Sequence, residues 1–180
     1  MAARTVLHQA DITRALTRIS HEILESDRGS GLVILGIPTR GVALAQRIGA
    51  ILDELSPGSA QVGALDVTMY RDDLARQPTR TPQPTRVPAG GIDGATVVLV
   101  DDVLFSGRTI RAALDAINDL GRPRAVRLAV LVDRGHRELP IRPDFVGKNI
   151  PTSSDERVHV HVTELDGTDE VTVEPSGDRA

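Results

Sequence analysis

The sequence predicts an α/β fold: a doubly wound, mostly parallel sheet with helices connecting its strands. Three observations carry this. Continuous apolar runs, GLVILGI (31–37), ATVVLV (95–100) and AVRLAVLV (125–132), read as strands buried on both faces. Stretches with apolar residues at helical spacing follow the first two runs. Strand, helix, strand in that order implies parallel pairing through right-handed crossovers.

Taken in order, Asp11 is expected to N-cap a helix whose apolar stripe is Ile12, Ala15, Leu16, Ile19 and Ile23. The strand at 31–37 ends at Pro38 and a Thr39-Arg40-Gly41 turn. A helix then runs through Val42, Leu44, Ala45, Ile48, Ile51 and Leu52. After Pro57 and Gly58, GALDVTMY (63–70) alternates and reads as a strand. Residues 71–94 hold four prolines and no periodicity, so they form a long loop. It is either a flexible linker or an active-site cover carrying Arg71, Arg76, Arg80 and Arg86. Arg108 to Leu120 is a helix with Ile110, Ala113, Leu114 and Ile117 facing inward, closed by Gly121 and Pro123. Beyond Asp133 the chain is rich in turns, with one alternating strand at Val158 to Val162. That part reads as an appendage over the strand ends.

Composition narrows the function classes. A chain of 180 residues is one domain's worth. No run approaches the ~18 apolar residues of a membrane span, and MAARTVLHQADITRAL lacks a signal peptide's apolar region, so cytoplasm is the expectation. Cysteine is absent, which excludes disulfides and thiolate chemistry. A net charge of -4 argues against non-specific coating of nucleic acid. The aromatic residues are Tyr70, Phe105 and Phe145, too few for stacking platforms of the RNA-recognition-motif type.

The chemistry concentrates in VVLVDDVLFSGRT (97–109). Ligands of open α/β sheets bind beyond the carboxyl ends of the strands, which is where Asp101 and Asp102 fall. Ser106, Gly107, Arg108 and Thr109 then lead into a helix N-terminus, where free backbone N–H groups and the helix dipole suit an anion. The spacing is neither a Walker P-loop nor a G-x-G-x-x-G turn. Two acids before a phosphate cradle suit a sugar phosphate, the carboxylates accepting hydrogen bonds from ribose hydroxyls. An acidic strand end paired with arginine is the alternative, and it explains neither the glycine nor the hydroxyls.

This segment resembles the phosphoribosyl-pyrophosphate (PRPP) motif of type I phosphoribosyltransferases. Together with TRGVALA, VTMYRDDL and LVDRGHRELPIRPDFVGKNIPTS it is similar to the PyrR family of pyrimidine operon regulators with uracil phosphoribosyltransferase activity. The resemblance implies a type I phosphoribosyltransferase fold within a single domain spanning 1–180. Its core is expected at about 10–135, a flexible loop at about 71–94 and a small hood at about 136–175, built largely from the C-terminal segment. The implied reaction joins uracil and PRPP to give UMP and pyrophosphate, with Mg²⁺. The alternatives are a purine enzyme using hypoxanthine or guanine, although such enzymes usually carry lysine where Asp133 stands, and a regulator with little catalysis.

The resemblance also assigns roles. Asp101 and Asp102 contact the ribose hydroxyls and the Mg²⁺, which is held largely by PRPP and water. The stretch Val103, Leu104, Phe105, Ser106, Gly107, Arg108 and Thr109 holds the 5′-phosphate. Thr39, Arg40 and Gly41 form the pyrophosphate loop, often built on a cis peptide, and Tyr70 and Arg71 open the covering loop. Taken alone, Thr-Arg-Gly is also a common turn. Phe145 and Val146 form the base-recognition stretch, unless Phe145 is simply a core residue. Family members also bind pyrimidine leader RNA when UMP is present. Arg14, Thr17, Arg18 and His21 share one helix face that could touch RNA or merely be solvated, and Arg137 and Lys148 could extend it. His159 and His161 share a strand face but lack a third ligand, so an exposed polar face is expected rather than a metal site. A homodimer or higher homo-oligomer is implied.

Overall fold

The computed structural model describes residues 2–27, 29, 31–72 and 81–177. The elements are β1 (Arg4–His8), α1 (Gln9–Ser26), β2 (Leu32–Gly36), α2 (Arg40–Leu55), β3 (Ala60–Ala64), β4 (Thr96–Leu104) and α3 (Arg108–Leu120). They continue with β5 (Ala125–Asp133), β6 (Phe145–Asn149), β7 (Glu156–His161), α4 (Thr163–Asp166) and β8 (Glu170–Pro175). No helix among the described residues is long and apolar enough to cross a membrane.

Five strands form a parallel sheet in the order β3-β2-β4-β5-β6. One face carries α1 and α2, which pack Ile12, Leu16, Ile19, Leu44 and Ile48 onto Ile34, Val98, Val100 and Leu131. The other carries α3, with Ile110, Ala113 and Ile117 against Val33, Leu35, Val97 and Leu99. Each fully buried Leu or Ile of these layers contributes about 1.5–3 kcal/mol of transfer free energy. The apolar strand runs are continuous because side chains on both faces meet a helix.

Strand lengths position the site. β2 pairs with β4 only as far as Gly36 beside Val100, whereas β5 follows β4 to Leu104 beside Asp133. Asp101 to Leu104 therefore overhang β2 and are open on that side. The chain leaving β2 borders the opening and makes one further bond to β4: the Ile37 N–H donates to the Val100 carbonyl at 2.9 Å. A Cβ on Gly41 would sit 2.5 Å from that same carbonyl, so only glycine lets the start of α2 approach so closely.

Several local expectations differ from what is observed. α1 begins at Gln9, because β1 runs directly into it; Asp11 lies inside the first turn, and its carboxylate accepts the His8 N–H at 2.9 Å. Leu114 is exposed rather than inward-facing, since at about 100° per residue it falls outside the arc centred on Ile110, Ala113 and Ile117. The strand expected at 63–70 stops at Ala64, where Asp66 accepts from the Thr68 N–H and hydroxyl and starts a 3-10 turn, Thr68–Tyr70. Arg86 then pairs with Ala64 through both backbone bonds, so residues around 86 lie beside the end of the edge strand β3. Arg76 and Arg80 lie outside the described residues.

A second, small antiparallel sheet has the order β1-β8-β7. Its boundaries differ from the expected hood. The N-terminal strand β1 belongs to it, while residues 145–149, expected within it, are the edge strand of the large sheet. Leu7, Val160, Val171 and Val173 are its buried residues and join the core beneath α1 and α2.

Candidate active site

Both acids sit within β4 rather than after it. Asp101 is 8% exposed and its Oδ1 accepts the Asp102 N–H at 2.9 Å. Asp102 is half-buried, and its Oδ1 accepts the Val103 N–H at 2.7 Å. Burial first, and then the charge of Asp102, push the Asp101 carboxyl well above the usual carboxylate range. The two acids thus differ: Asp102 is the one presented at the rim, and Asp101 stands behind it.

Directly after β4, Gly107 adopts the left-handed conformation (φ 92°) as the N-cap of α3. A Cβ there would strain the backbone and sit 3.0 Å from Ile141. The first N–H groups of α3 have no intrahelical acceptor. The Arg108 N–H is met weakly by Ser106 Oγ at 3.3 Å, and the Thr109 hydroxyl accepts from Arg71 Nη1 at 3.2 Å. The Arg108 side chain points away from this loop, to Asp72 at 2.6 Å and Glu138 at 2.8 Å. Val103 is half-buried, Leu104 is buried and Phe105 is exposed. The loop can therefore present backbone N–H groups, two hydroxyls and the Arg71 cation to one anion.

Across the opening, the Pro38–Thr39 peptide is cis, as the resemblance implies, and Thr39 and Arg40 start α2. Arg40 does not point freely at the acids. Its Nη2 and Nε donate to the two oxygens of Asp166 at 2.7 and 3.2 Å. That pairing, reinforced by the charge of Asp102, raises the Arg40 pKa. Arg47, two turns along α2, is held bidentately by Glu164 and Asp169, at 2.6–2.8 Å. Asp166, Glu164 and Asp169 were not legible as site residues: their partners lie more than a hundred positions away, and no local pattern announces such a pairing.

Other candidates are placed differently from expectation. Tyr70 donates its hydroxyl to Asp119 on α3, away from the acids, whereas Arg71 turns in. Phe145 is buried, 7% exposed, in the core beneath α1, so its ring is not presented for stacking. Val146 is half-buried on the α3 side of the sheet. Arg18 donates to the Val146 and Gly147 carbonyls at 3.0 and 2.7 Å and to Glu22 at 2.9 Å, and Arg137 to Asp133 and the carbonyls of Phe105 and Ile141. Both guanidiniums are thus engaged within the fold. Arg14 pairs with Asp11, Thr17 is half-buried, and His21 and Lys148 are exposed. His159 Nε2 meets Glu174 at 2.7 Å.

Arg134, not anticipated, is a buried cation at the end of β5. Its guanidinium lies 4.3 Å from the Phe105 ring centroid and donates to Thr152 Oγ1 and the Ser153 carbonyl, each at 3.1 Å.

Among solved structures, the fold matches hypoxanthine-guanine phosphoribosyltransferase of Bacillus anthracis with a TM-score of 0.70 at 17% identity, covering 95% of this chain and 96% of that one. It matches hypoxanthine phosphoribosyltransferase of Trypanosoma cruzi with a TM-score of 0.72 at 17% identity, covering 96% of each. At such identity the likeness concerns the fold. Sequence relatives are nearer. The bifunctional protein PyrR of Leifsonia xyli is 71% identical over 98% of this chain and all of its own length. That of Streptomyces coelicolor is 63% identical over 94% of this chain and 88% of its own. The phosphoribosyl transferase domain family matches residues 3–166, a span that runs from β1 through both acids to Asp166. With a family match over most of its length and relatives this near, the chain belongs to the phosphoribosyl transferase domain family and, within it, to the bifunctional PyrR proteins.

Proposed function

We propose that this protein is a uracil phosphoribosyltransferase, converting uracil and PRPP to UMP and pyrophosphate, and that it also regulates pyrimidine genes by binding their leader RNA when UMP is present. The carrying observation is the opening beside β4, where Asp102, the N-terminus of α3 and Arg71 converge. The loop 106–109 takes the 5′-phosphate through backbone N–H groups, Ser106, Thr109 and Arg71. Asp102 accepts hydrogen bonds from the vicinal ribose hydroxyls. The anomeric carbon then lies toward the start of α2, where the peptide N–H groups of residues 39–41 and, once free of Asp166, Arg40 receive the departing pyrophosphate. Catalysis is largely positioning and charge stabilisation, because the reaction centre gains oxocarbenium character as the leaving group departs.

Magnesium fits this donor set. Asp102 alone presents a half-exposed carboxylate at the rim, and an ion that keeps most of its water and shares substrate phosphate oxygens needs no more than that. When bound, the ion neutralises pyrophosphate charge. Incubating the protein with PRPP, Mg²⁺ and each nucleobase tests the reading. Pyrophosphate release with uracil is expected; release with hypoxanthine or guanine alone would make it a purine enzyme. The RNA activity is placed on α1 at Arg14, Thr17 and His21, with Lys148 on β6. A gel shift on pyrimidine leader RNA should require UMP and weaken with salt. Cytoplasmic location and a homodimer or higher homo-oligomer complete the proposal.

A further inference from the structure

Phe105 stands between the acids and the phosphate loop with 41% of its surface exposed. Its setting is elaborate for an exposed ring. The Arg134 guanidinium carbon lies 4.3 Å from its centroid, and the His136 ring meets it edge-on with centroids 6.1 Å apart. Arg134 is 8% exposed, and among the described residues the carboxylate that acts on it, Glu156, does so through space rather than in an ion-pair contact. It is held instead by Thr152 Oγ1, the Ser153 carbonyl and the aromatic face. Thr152 is fixed in turn: its hydroxyl donates to the Arg134 carbonyl at 3.2 Å, and its own carbonyl lies 2.6 Å from His136 Nε2. The Arg134 N–H donates to the Leu104 carbonyl at 3.1 Å, so the cation is tied by backbone to the residue before Phe105.

A buried guanidinium with no carboxylate in direct contact is costly to keep, and the π face of Phe105 offsets part of that cost alongside the through-space charge of Glu156. The ring is fixed in return. A cation against one face also draws electron density from the ring, which makes its remaining surface a better neighbour for the partly negative carbonyl oxygens of a planar heterocycle. Phe105 lies three residues after Asp102 and one before Ser106, so a base attached to a ribose held between them comes within reach of this ring. Phe145, the other phenylalanine, is in the core.

We infer that Phe105 is the wall against which the nucleobase lies, and that Arg134 is the residue that positions it, the pair contributing to selection of a carbonyl-rich pyrimidine. The inference rests on the proposed phosphoribosyl transfer to uracil. It is tested with Phe105→Leu, which keeps bulk but loses the ring, Phe105→Tyr, which restores the ring, and Arg134→Met. In steady-state kinetics Phe105→Leu should raise KM for uracil about tenfold, a typical size for one base–aromatic stack, and leave KM for PRPP within about twofold. Phe105→Tyr should recover the uracil KM, and Arg134→Met should shift it in the direction of the leucine variant. Equal rises in both KM values, or an unchanged uracil KM, overturn the inference. Calorimetry separates it from the parent reading. The preference of the wild type for its best-bound nucleoside monophosphate over ribose 5-phosphate should shrink in Phe105→Leu. If that preference is absent in the wild type or survives in the variant, the wall does not exist. If it shrinks in a protein that turns over no uracil, only the choice of base was misread.

Discussion

Arg40 at the start of α2 and Asp166 at the end of α4 are joined by two hydrogen bonds, 2.7 and 3.2 Å, across 126 positions of sequence. The pair links the turn opposite the acids to the small sheet's connection. It also occupies two of the donors of the Arg40 guanidinium, Nε and Nη2. Asp166 accepts the Val162 N–H at 2.8 Å as well, so the carboxylate is held on both sides.

If Arg40 serves pyrophosphate, PRPP must compete with Asp166. Asp166→Asn keeps the shape and the Val162 contact but removes the charge, and should lower KM for PRPP about fivefold, the equivalent of one partly exposed ion pair. Initial-rate kinetics at varied PRPP checks it. An unchanged KM accompanied by a lower melting temperature would mean that the pair is purely structural.

The second clamp sets a response to acid. Arg47, with help from the Thr163 hydroxyl and N–H, holds the Asp169 carboxyl down from its ordinary 3.8 to about 2, despite the opposing effect of burial. Because the folded pKa is depressed, this stabilisation is complete above about pH 4 and is lost as pH falls toward 2. Its size at neutral pH is about 2 kcal/mol. Urea unfolding from pH 7 to pH 2 should show the loss, and Asp169→Asn should flatten the curve in that window while lowering stability at neutral pH.

Asp101 behaves in the opposite sense. Its folded pKa is raised, chiefly by burial, so the native state favours the protonated form and ionisation at higher pH works against folding. Asp101→Asn should therefore melt at a higher temperature than the wild type at pH 8, the difference shrinking as pH is lowered toward the ordinary carboxylate range. Differential scanning calorimetry across that range is the check. A lower melting temperature at every pH would show that the carboxyl makes an interaction amide cannot replace.

The central strands β2, β4 and β5 were legible in the sequence because they are buried on both faces, and α3 because its ends are local, Gly107 before it and Gly121 after, whereas the edge strands β3 and β6, only partly buried, were not. The juxtaposition of Asp102 with the glycine-capped loop 106–109 was legible for the same reason: it lies within thirteen consecutive residues. What escaped was set at long range. β1 is five residues long and is a strand only because β8 pairs with it. The burial of Phe145 depends on α1 covering β6, and the loss of Arg18 and Arg137 as free cations depends on carbonyls that only the tertiary fold brings near. Arg134 reads like any other arginine until Phe105 is placed over it.

In the proposed reaction Asp102 and the loop capped by Gly107 jointly grip an activated ribose 5-phosphate. Titration calorimetry of PRPP with Mg²⁺ into the wild type and Asp102→Asn tests it most directly. Measurable binding to the wild type is expected, with a loss of at least about tenfold in Asp102→Asn, consistent with removal of a charged hydrogen-bond acceptor, and melting temperatures that agree closely. Equal affinities in the two proteins would contradict it.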